Sequence, residues 1–323
     1  MENLISIFYA CDDNFVKYTL VSMKSIMENA SKDYKYIIYI LNTSIENNTK
    51  ENVLKMKNEY FDIEFIDCSS YIDSIKDNIP LRDYYSKTTY FRLFIAEMFP
   101  NIDKAIYIDS DTIVLGDVSK LYNHDLKDNL VGACNEQAMV QNDVYGTYVE
   151  KCIGLDRYNY FNAGMLLINC KLFREEKILT QFFEKLSVYN FVVTQDEDYL
   201  NLICYNRVLW IDNSWNVEVF GDIKYSDDEI NMIHYIMWAK PWHFTNVRLE
   251  NHFWKYAKLT HYYQDIIDTL NNYPEEKRKS DLLACEALEK LAIKETYRED
   301  NYLNRVANSK KIIQRKKFSR DYE

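Results

Sequence analysis

Two carboxylates, Asp109 and Asp111, stand on either side of Ser110 at the end of an apolar, strand-like segment that covers residues 104–109. A carboxylate is costly to bury without a partner, so acidic residues at the tip of a buried strand indicate a cationic partner there. Hard oxygen ligands favour Mg²⁺ or Mn²⁺, and a cation held by few side chains keeps positions open for phosphate oxygens. In open α/β sheets the ligand crevice lies outside the carboxyl ends of the strands. The motif alone is also compatible with an ordinary Asp-rich turn.

A second group of reactive side chains lies far downstream, in the segment His234-Tyr-Ile-Met-Trp-Ala-Lys240-Pro241-Trp242. His234 offers a third cation ligand after the strand-like residues 230–233, and Lys240 offers a positive charge for phosphate. Imidazole together with two carboxylates suits Mn²⁺ somewhat better than Ca²⁺. Pro241 ends any regular element and directs Lys240 inward. The alternative is that His234 is a structural histidine.

The elements that must position these groups alternate between strand and helix, as in an α/β fold. Apolar runs rich in Ile, Phe and Tyr predict strands, and near-helical apolar spacing predicts helices. The predicted strands are 4–10, 36–41, 61–66, 104–109, 165–169 and 207–211, and the predicted helices are about 12–29, 45–60, 89–98, 172–190 and 196–204. This order predicts a doubly wound, mostly parallel sheet. Asp12-Asp13-Asn14 supplies N-cap chemistry for the first helix.

Composition limits the class of protein. The chain has 323 residues and 47% hydrophobic content, which is enough for a large core. Its formal net charge of −11 argues against nucleic acid as a partner, and it has no glycine-rich phosphate loop. The seven cysteines are scattered without a Cys-x-x-Cys pair, and we find neither a secretory signal nor a long apolar span. These features predict reduced thiols in a cytoplasmic protein, soluble or peripheral on a membrane.

The C-terminal residues 301–323 differ in charge from the rest of the chain, with seven Lys or Arg against two acidic residues. Ile312, Ile313 and Phe318 alternate with these charges. Two interpretations stay open. The segment is either an amphipathic basic helix that contacts an anionic membrane surface, or a solvated basic tail.

Six segments together resemble glycosyltransferase family 8, the retaining sugar-nucleotide transferases that include glycogenin and bacterial lipopolysaccharide galactosyltransferases. In chain order they are Ala10-Cys-Asp-Asp-Asn14, Thr88-Thr-Tyr-Phe-Arg-Leu93, Tyr107-Ile-Asp-Ser-Asp111, Tyr160-Phe-Asn-Ala-Gly-Met-Leu-Leu-Ile-Asn169, Gln195-Asp-Glu-Asp198 and His234-x5-Lys240-Pro-Trp242. The resemblance runs from about Ile5 to Trp242. It implies a GT-A fold, in which one nucleotide-binding α/β sheet merges with an acceptor-side subregion. It also implies a UDP-sugar donor and Mn²⁺ or Mg²⁺.

The resemblance implies three groups of site residues, for the nucleoside, for the cation and diphosphate, and for the donor sugar. The residues implied for the nucleoside are Ala10, Asp12 and Asn14. Those implied for the cation and diphosphate are Asp109, Ser110, Asp111, His234 and Lys240, of which Asp109, Asp111 and His234 would be metal ligands. Those implied for the donor sugar are Arg92, Asn162, Asp196 and Glu197, of which Arg92, Asp196 and Glu197 are the catalytic candidates.

Two positions depart from the family pattern. Met237 stands where the family usually has Gly, which lets the backbone approach the diphosphate, so we expect a side chain here to alter the loop. Glu197 stands where close relatives often carry Gln. A covalent glycosyl intermediate on Glu197 and a route without one therefore both stay open.

These features predict a metal-dependent retaining glycosyltransferase that moves glucose or galactose from UDP-glucose or UDP-galactose to a glycan, glycolipid or glycoprotein. We expect a GT-A domain over residues 1–272 and a C-terminal helical extension with the basic tail over 273–323. The acceptor is expected near residues 80–86 and 245–252. The alternatives are a hydrolase or pyrophosphorylase of nucleotide sugars, and a catalytically inactive module that binds a sugar nucleotide or a glycan.

Overall fold

A computed structural model describes residues 4–73 and 87–308, and the fold has ten strands and thirteen α-helices in the described residues up to Thr296. The strands are β1 Leu4–Ala10, β2 Lys35–Asn42, β3 Phe61–Asp67, β4 Ala105–Ile108, β5 Thr112–Val114, β6 Val131–Asn135, β7 Phe161–Ile168, β8 Val208–Trp210, β9 Val217–Glu218 and β10 Met232–His234.

The helices are mostly short and lie between the strands. They are α1 Val16–Asn29, α2 Asn47–Leu54, α3 Ser69–Asp73, α4 Ile95–Met98, α5 Val118–Tyr122, α6 Gln137–Gln141, α7 Asp143–Tyr148, α8 Cys170–Glu175, α9 Ile178–Val188, α10 Asp196–Ile203, α11 Glu250–Ala257, α12 Tyr263–Asn272 and α13 Glu275–Thr296. Short 3-10 segments cover Lys87–Leu93, Arg157–Asn159 and Asn213–Trp215, and a π-helical turn covers Val149–Ile153.

The main sheet has seven strands in the order β3-β2-β1-β4-β7-β6-β8. Strands β3, β2, β1 and β4 run parallel to one another, as the alternation of strands and helices predicted. Strand β7 is antiparallel to both β4 and β6, so the sheet is mixed rather than doubly wound throughout. All eight residues of β7 are buried, and a fully buried run does not indicate strand direction. The sheet is mostly parallel, as predicted, and β7 is the antiparallel exception.

A small second sheet, β5-β10-β9, positions the chemistry. Strand β5 follows β4 after the Asp109–Asp111 turn, and it pairs antiparallel with β10, so that His234 lies opposite Thr112. The histidine is thereby brought beside the two carboxylates although it is more than 120 residues away in sequence.

Several predicted elements differ in extent. The helix expected over 45–60 is the shorter α2, and the helix expected over 89–98 is a 3-10 segment followed by α4. The helix expected over 172–190 is broken into α8 and α9 at Lys177, which has a left-handed φ of 54°. Helix α1 begins at Val16, after the predicted cap residues, and no side chain caps it. Asp12 Oδ1 accepts a hydrogen bond from the Phe15 amide at 2.9 Å in the turn just before the helix.

The C-terminal part of the chain packs onto the rest through α13, which contacts α7. All seven cysteines lie within the described residues and are free thiols, as their scattered positions predicted. Among the described helices, none is both long and apolar enough to span a bilayer. Residues 302–308 are helical, but residues 309–323 of the basic tail and the predicted acceptor segment 80–86 lie outside the described residues.

Candidate active site

A cavity of about 560 Å³ opens at the carboxyl ends of β1 and β4. Eleven of the twelve site residues that the sequence indicated line it: Ala10, Asp12, Arg92, Asp109, Ser110, Asp111, Asn162, Asp196, Glu197, His234 and Lys240. The exception is Asn14, which is exposed and is not among the lining residues. The predicted acceptor residues 245–252 are also absent from this lining.

Asp109, Asp111 and His234 form the cation-binding part of the cavity. One ligand atom of each lies within 4.8 Å of the others, and His234 Nε2 is 3.2 Å from Asp111 Oδ1. Two carboxylates and an imidazole are a donor set that suits Mn²⁺ and leaves positions for other ligands. Gly164 makes room for the histidine, since a Cβ built there would lie 2.3 Å from His234 Cε1. These residues therefore fit a divalent cation.

Helix α1 holds the turn between the two carboxylates. Thr19 Oγ1 donates a hydrogen bond to Ser110 Oγ at 2.8 Å, and Ser110 Oγ lies 3.3 Å from the Ala10 carbonyl oxygen. Ser110 is buried, so its hydroxyl anchors the turn to the tip of β1 and to α1. The two flanking carboxylates are thereby directed into the cavity.

Lys240 neutralises Asp111 from the other side of the turn. Its ammonium group is paired with Asp111 Oδ2 and also donates to the Tyr235 carbonyl oxygen. Burial alone would raise the pKa of Asp111, but the Lys240 ammonium first and the His234 imidazole second outweigh this and hold that pKa well below its usual range. Asp111 is therefore ionised at neutral pH, as a cation ligand has to be.

Arg92 links the cation site to the carboxylates at the start of α10. Its guanidinium lies 2.9 Å from Asp196 Oδ2 and 3.4 Å from Asp109 Oδ1, and it also donates to the Ala163 carbonyl oxygen. Burial would lower the pKa of Arg92, but the charges of Asp109 and Asp196 raise this pKa by more than burial lowers it. The side chain therefore stays charged. A buried guanidinium with several fixed partners presents a rigid face to the cavity.

Three acidic residues begin α10, and burial raises the pKa of each. The pKa of Asp196 is raised to about 7 and that of Asp198 to about 6. Glu197 Oε2 accepts a hydrogen bond from the Ala163 amide at 2.8 Å. The pKa of Glu197 lies well above its usual range because of burial and because of the neighbouring carboxylates, Glu136 first among them. Asp198 accepts hydrogen bonds from two tyrosine hydroxyls and faces the core.

Sequence reasoning missed three buried polar residues near this site. Glu136 lines the cavity and accepts a hydrogen bond from Asn162. Glu218 is fully buried beside Glu136. Burial first and the neighbouring Glu136 second raise the pKa of Glu218 well above its usual range. Asn216 is fully buried and contacts both His234 and Asn162. None of the three stands in a motif, and contacts between residues far apart in sequence bring them to the site.

Met237, where the family pattern has Gly, lines the cavity with a left-handed φ of 52°. This conformation is readily adopted by Gly and costs a residue with a side chain about 1–2 kcal/mol. The side chain packs on the same apolar cluster as Leu288 of α13. The loop therefore has a backbone conformation that glycine adopts readily, and the Met237 side chain forms part of the cavity wall.

Helix α13 supplies an outer wall that the sequence did not indicate. Its pocket-lining residues, together with one just before it, are Tyr273, Ser280, Asp281, Ala284 and Leu288. The Tyr273 ring stacks on His243 with centroids 3.7 Å apart, and Arg278 Nε donates to the His243 carbonyl oxygen at 2.8 Å. The helix thus holds the segment that follows Lys240. The predicted division of the chain at residue 273 stays a prediction.

The model of the family described as glycosyl transferase family 8 matches residues 6–246. A Haemophilus influenzae protein named as a glycosyltransferase is 35% identical over 216 residues, which are 66% of this chain and 63% of that protein. The lipopolysaccharide 1,3-galactosyltransferase of Salmonella typhimurium is 24% identical over 256 residues, or 74% of this chain and 73% of the relative.

Solved structures of glycosyltransferases have a similar fold. The galactosyltransferase LgtC in complex with donor and acceptor sugar analogs matches with a TM-score of 0.65 and 26% identity, over 85% of this chain and 99% of that one. The bifunctional glycosyltransferase WbbM has a TM-score of 0.72 at 23% identity, over 83% of this chain and 52% of its own. The similarity to LgtC confirms an α/β architecture of the GT-A type. The chain belongs to glycosyltransferase family 8.

Proposed function

We propose that this protein is a metal-dependent retaining glycosyltransferase that transfers glucose or galactose from a UDP-sugar to a glycan. One observation carries the proposal: a cation-binding set of Asp109, Asp111 and His234 shares one cavity with Lys240 and Arg92. A cation held by three side chains keeps coordination positions open for phosphate oxygens. Together with two fixed positive charges it suits a diphosphate that departs from a sugar as the leaving group. The names of the relatives, a lipopolysaccharide galactosyltransferase and LgtC among them, support the reaction class.

The nucleoside end of the donor would lie at the tip of β1. Ala10, Asp12 and Phe15 line that end of the cavity. One oxygen of Asp12 accepts a hydrogen bond from the Phe15 amide, which fixes the carboxylate and leaves its other oxygen for a ribose hydroxyl or a uracil N–H. Asn14 is exposed, so a role in nucleoside binding would require it to turn inward.

The side chains around the diphosphate would act by position and charge. When bound, Mn²⁺ or Mg²⁺ supplies Lewis-acid stabilisation of the leaving group, worth several kcal/mol. Lys240 is held by Asp111 and by the Tyr235 carbonyl, so its charge is in place before the donor arrives. Arg92 is fixed by Asp196 and the Ala163 carbonyl and would orient a hydroxyl of the donor sugar.

Retention of configuration has two possible routes. Either Glu197 attacks the anomeric carbon, or the leaving phosphate assists the acceptor on the same face of the sugar. In the protein without donor, burial and neighbouring carboxylates favour the neutral form of Glu197, which is a poor nucleophile. We therefore propose that Glu197 binds a sugar hydroxyl and that the reaction follows the second route.

The acceptor side would be formed by α13 and the loop beneath it. Ser280 and Asp281 offer hydrogen-bonding groups to the cavity, and Ala284 and Leu288 offer an apolar surface opposite Tyr145. Mixed polar and apolar walls of this kind suit a carbohydrate, which presents hydroxyls and an apolar ring face.

The proposal is tested by UDP release from UDP-glucose and UDP-galactose with Mn²⁺, with EDTA, and with a panel of methyl glycosides as acceptors. We expect metal-dependent release, faster with a suitable acceptor, and a loss on the order of 10³-fold in Asp109→Asn and Asp111→Asn. Asp128→Asn, an exposed carboxylate before β6, is the matched control and should keep parental activity.

Three other results would change the assignment. Rapid release to water that no acceptor accelerates would favour the hydrolase. Binding of UDP without any release would favour the inactive binding module. Full activity in EDTA-treated protein would remove the cation from the proposal.

A further inference from the structure

Asn216 joins the cation ligand His234 to the donor-sugar side of the cavity through an unbroken chain of hydrogen bonds. Its Oδ1 lies 3.0 Å from His234 Nδ1, and its Nδ2 donates to Asn162 Oδ1 at 2.8 Å. Asn162 in turn donates to a carboxylate oxygen of Glu136. Asn216 has no solvent exposure, so water does not compete for these contacts.

The direction of each hydrogen bond in this chain follows from groups whose roles are fixed. The Gly164 amide can only donate, and it lies 2.8 Å from Asn162 Oδ1. The Glu136 carboxylate that receives Asn162 Nδ2 is an acceptor. The oxygen of the Asn162 amide must therefore face Gly164 and Asn216. Asn216 presents its NH₂ group to that oxygen, which leaves its own Oδ1 for the histidine.

The histidine tautomer follows in the same way. Because Asn216 Oδ1 accepts, His234 Nδ1 carries a hydrogen, so in the neutral imidazole that a cation requires the lone pair lies on Nε2. Nε2 is the ring nitrogen that faces the other ligands, 3.2 Å from Asp111 Oδ1. This is the arrangement that a cation ligand set requires, and metal-bound histidines commonly donate their second N–H to such a partner.

Both backbone polar groups of Asn216 are hydrogen-bonded, which fixes the point from which its side-chain amide projects. Its N–H donates to the Asn213 carbonyl at 3.0 Å, and its carbonyl accepts from Gln137 Nε2 at 2.8 Å. The neighbouring strand β9 pairs with β10, which carries His234. The position of the asparagine is thus set by the same small sheet that positions the histidine.

We propose that Asn216 is a positioning residue that fixes the orientation and tautomer of His234 for the cation and couples it to Asn162 in the donor-sugar pocket. This inference rests on the proposed cation site. It predicts that Asn216 acts on the cation through the imidazole, and that its carbonyl oxygen is the atom that matters for that effect.

The test is Mn²⁺ affinity, measured from the free-ion electron paramagnetic resonance signal in the presence of UDP. We expect Asn216→Ala to weaken Mn²⁺ binding about 10- to 100-fold. His234→Ala should weaken it as well, and the double variant should bind no more weakly than His234→Ala alone, because the asparagine acts through the missing imidazole. Asn216→Asp keeps an acceptor for His234 Nδ1 and should retain more affinity than the alanine variant.

The control is Asn201→Ala. Asn201 is equally buried and forms hydrogen bonds with the backbone of Phe161, so its loss costs structure without touching the histidine. Parental Mn²⁺ affinity in Asn216→Ala, or additive losses in the double variant, would overturn the inference and leave the cation site standing. Should the alanine variant not fold, an aspartate variant that folds and binds Mn²⁺ no better than His234→Ala would overturn it. Failure of the parent protein to bind Mn²⁺ would overturn both the inference and the proposed cation site.

Discussion

Replacing Glu197 by Gln separates the two routes to retention. The side chain lies between the Ala163 amide, which donates to it at 2.8 Å, and a set of acidic neighbours that raise its pKa well above the usual range. A neutral Glu has nearly the shape of Gln, and the amide oxygen of Gln can accept the same hydrogen bond. The substitution therefore changes little if Glu197 acts as a neutral hydrogen-bonding group.

The expected loss of turnover in Glu197→Gln is small. We expect turnover to fall less than about 10-fold, which corresponds to less than about 1.4 kcal/mol in the activation free energy. Donor affinity should change by a similar amount or less. An obligatory nucleophile would behave differently, because Gln lacks the negative charge that forms the glycosyl bond, and turnover would fall by about 10³-fold or more.

The assay is UDP release under saturating donor with Mn²⁺, with the donor dissociation constant measured in parallel by calorimetry. Thermal unfolding checks that the variant keeps its fold. A fall of 10³-fold with unchanged donor binding, together with a glycosyl adduct on Glu197 in the parent seen by mass spectrometry, would refute the reasoning from burial and pKa.

Three further predictions concern the loop, the buried carboxylate and the outer wall. Met237→Gly removes about 1 kcal/mol of left-handed strain and also loses side-chain packing, so the free energy of unfolding in urea should change by no more than about 1 kcal/mol; a loss above about 3 kcal/mol would contradict this. Burial raises the pKa of Asp196 to about 7, above its unfolded value near 4, so the folded state binds the proton more tightly and the parent should lose stability as pH rises from about 4 to 7. Asp196→Asn should show a shallower decline, because Glu197 and Asp198, whose pKa values are also raised, still titrate. Parallel pH profiles in urea would contradict the assignment. Ala284→Trp fills the cavity beneath α13 and should reduce transfer to any methyl glycoside that serves as acceptor while UDP affinity stays the same, whereas Ala287→Trp on the exposed face should change neither; equal effects would exclude α13 as the acceptor wall.

The sequence indicated the parts of the fold that depend on local pattern. Strands β1, β2 and β3 are short apolar runs between polar turns, and their pattern predicts both the element and the edge of the sheet where Asp109 and Asp111 lie. Strand β7 was predicted as an element but not in direction, because a run that is buried on both faces gives no sign of which neighbour it opposes.

The parts of the site that depend on distant contacts could not be read in this way. His234 was identified as a ligand by resemblance, but its partner Asn216 stands in no motif and reaches it only through the pairing of β9 with β10. Helix α13 has two exposed leucines, Leu282 and Leu283, and a polar sequence, and nothing in it marks the face that closes the cavity. Such contacts are set by tertiary packing, which single-sequence patterns do not carry.

The most direct test of the account is calorimetric titration of UDP into the parent protein and into Asp111→Asn, each with Mn²⁺ and with EDTA. The account predicts that UDP binding by the parent depends on Mn²⁺, and that Asp111→Asn loses most of this dependence while Asp128→Asn keeps it. Equal UDP affinity of the parent in Mn²⁺ and in EDTA, or undiminished Mn²⁺ dependence in Asp111→Asn, would contradict the assignment of the cation site.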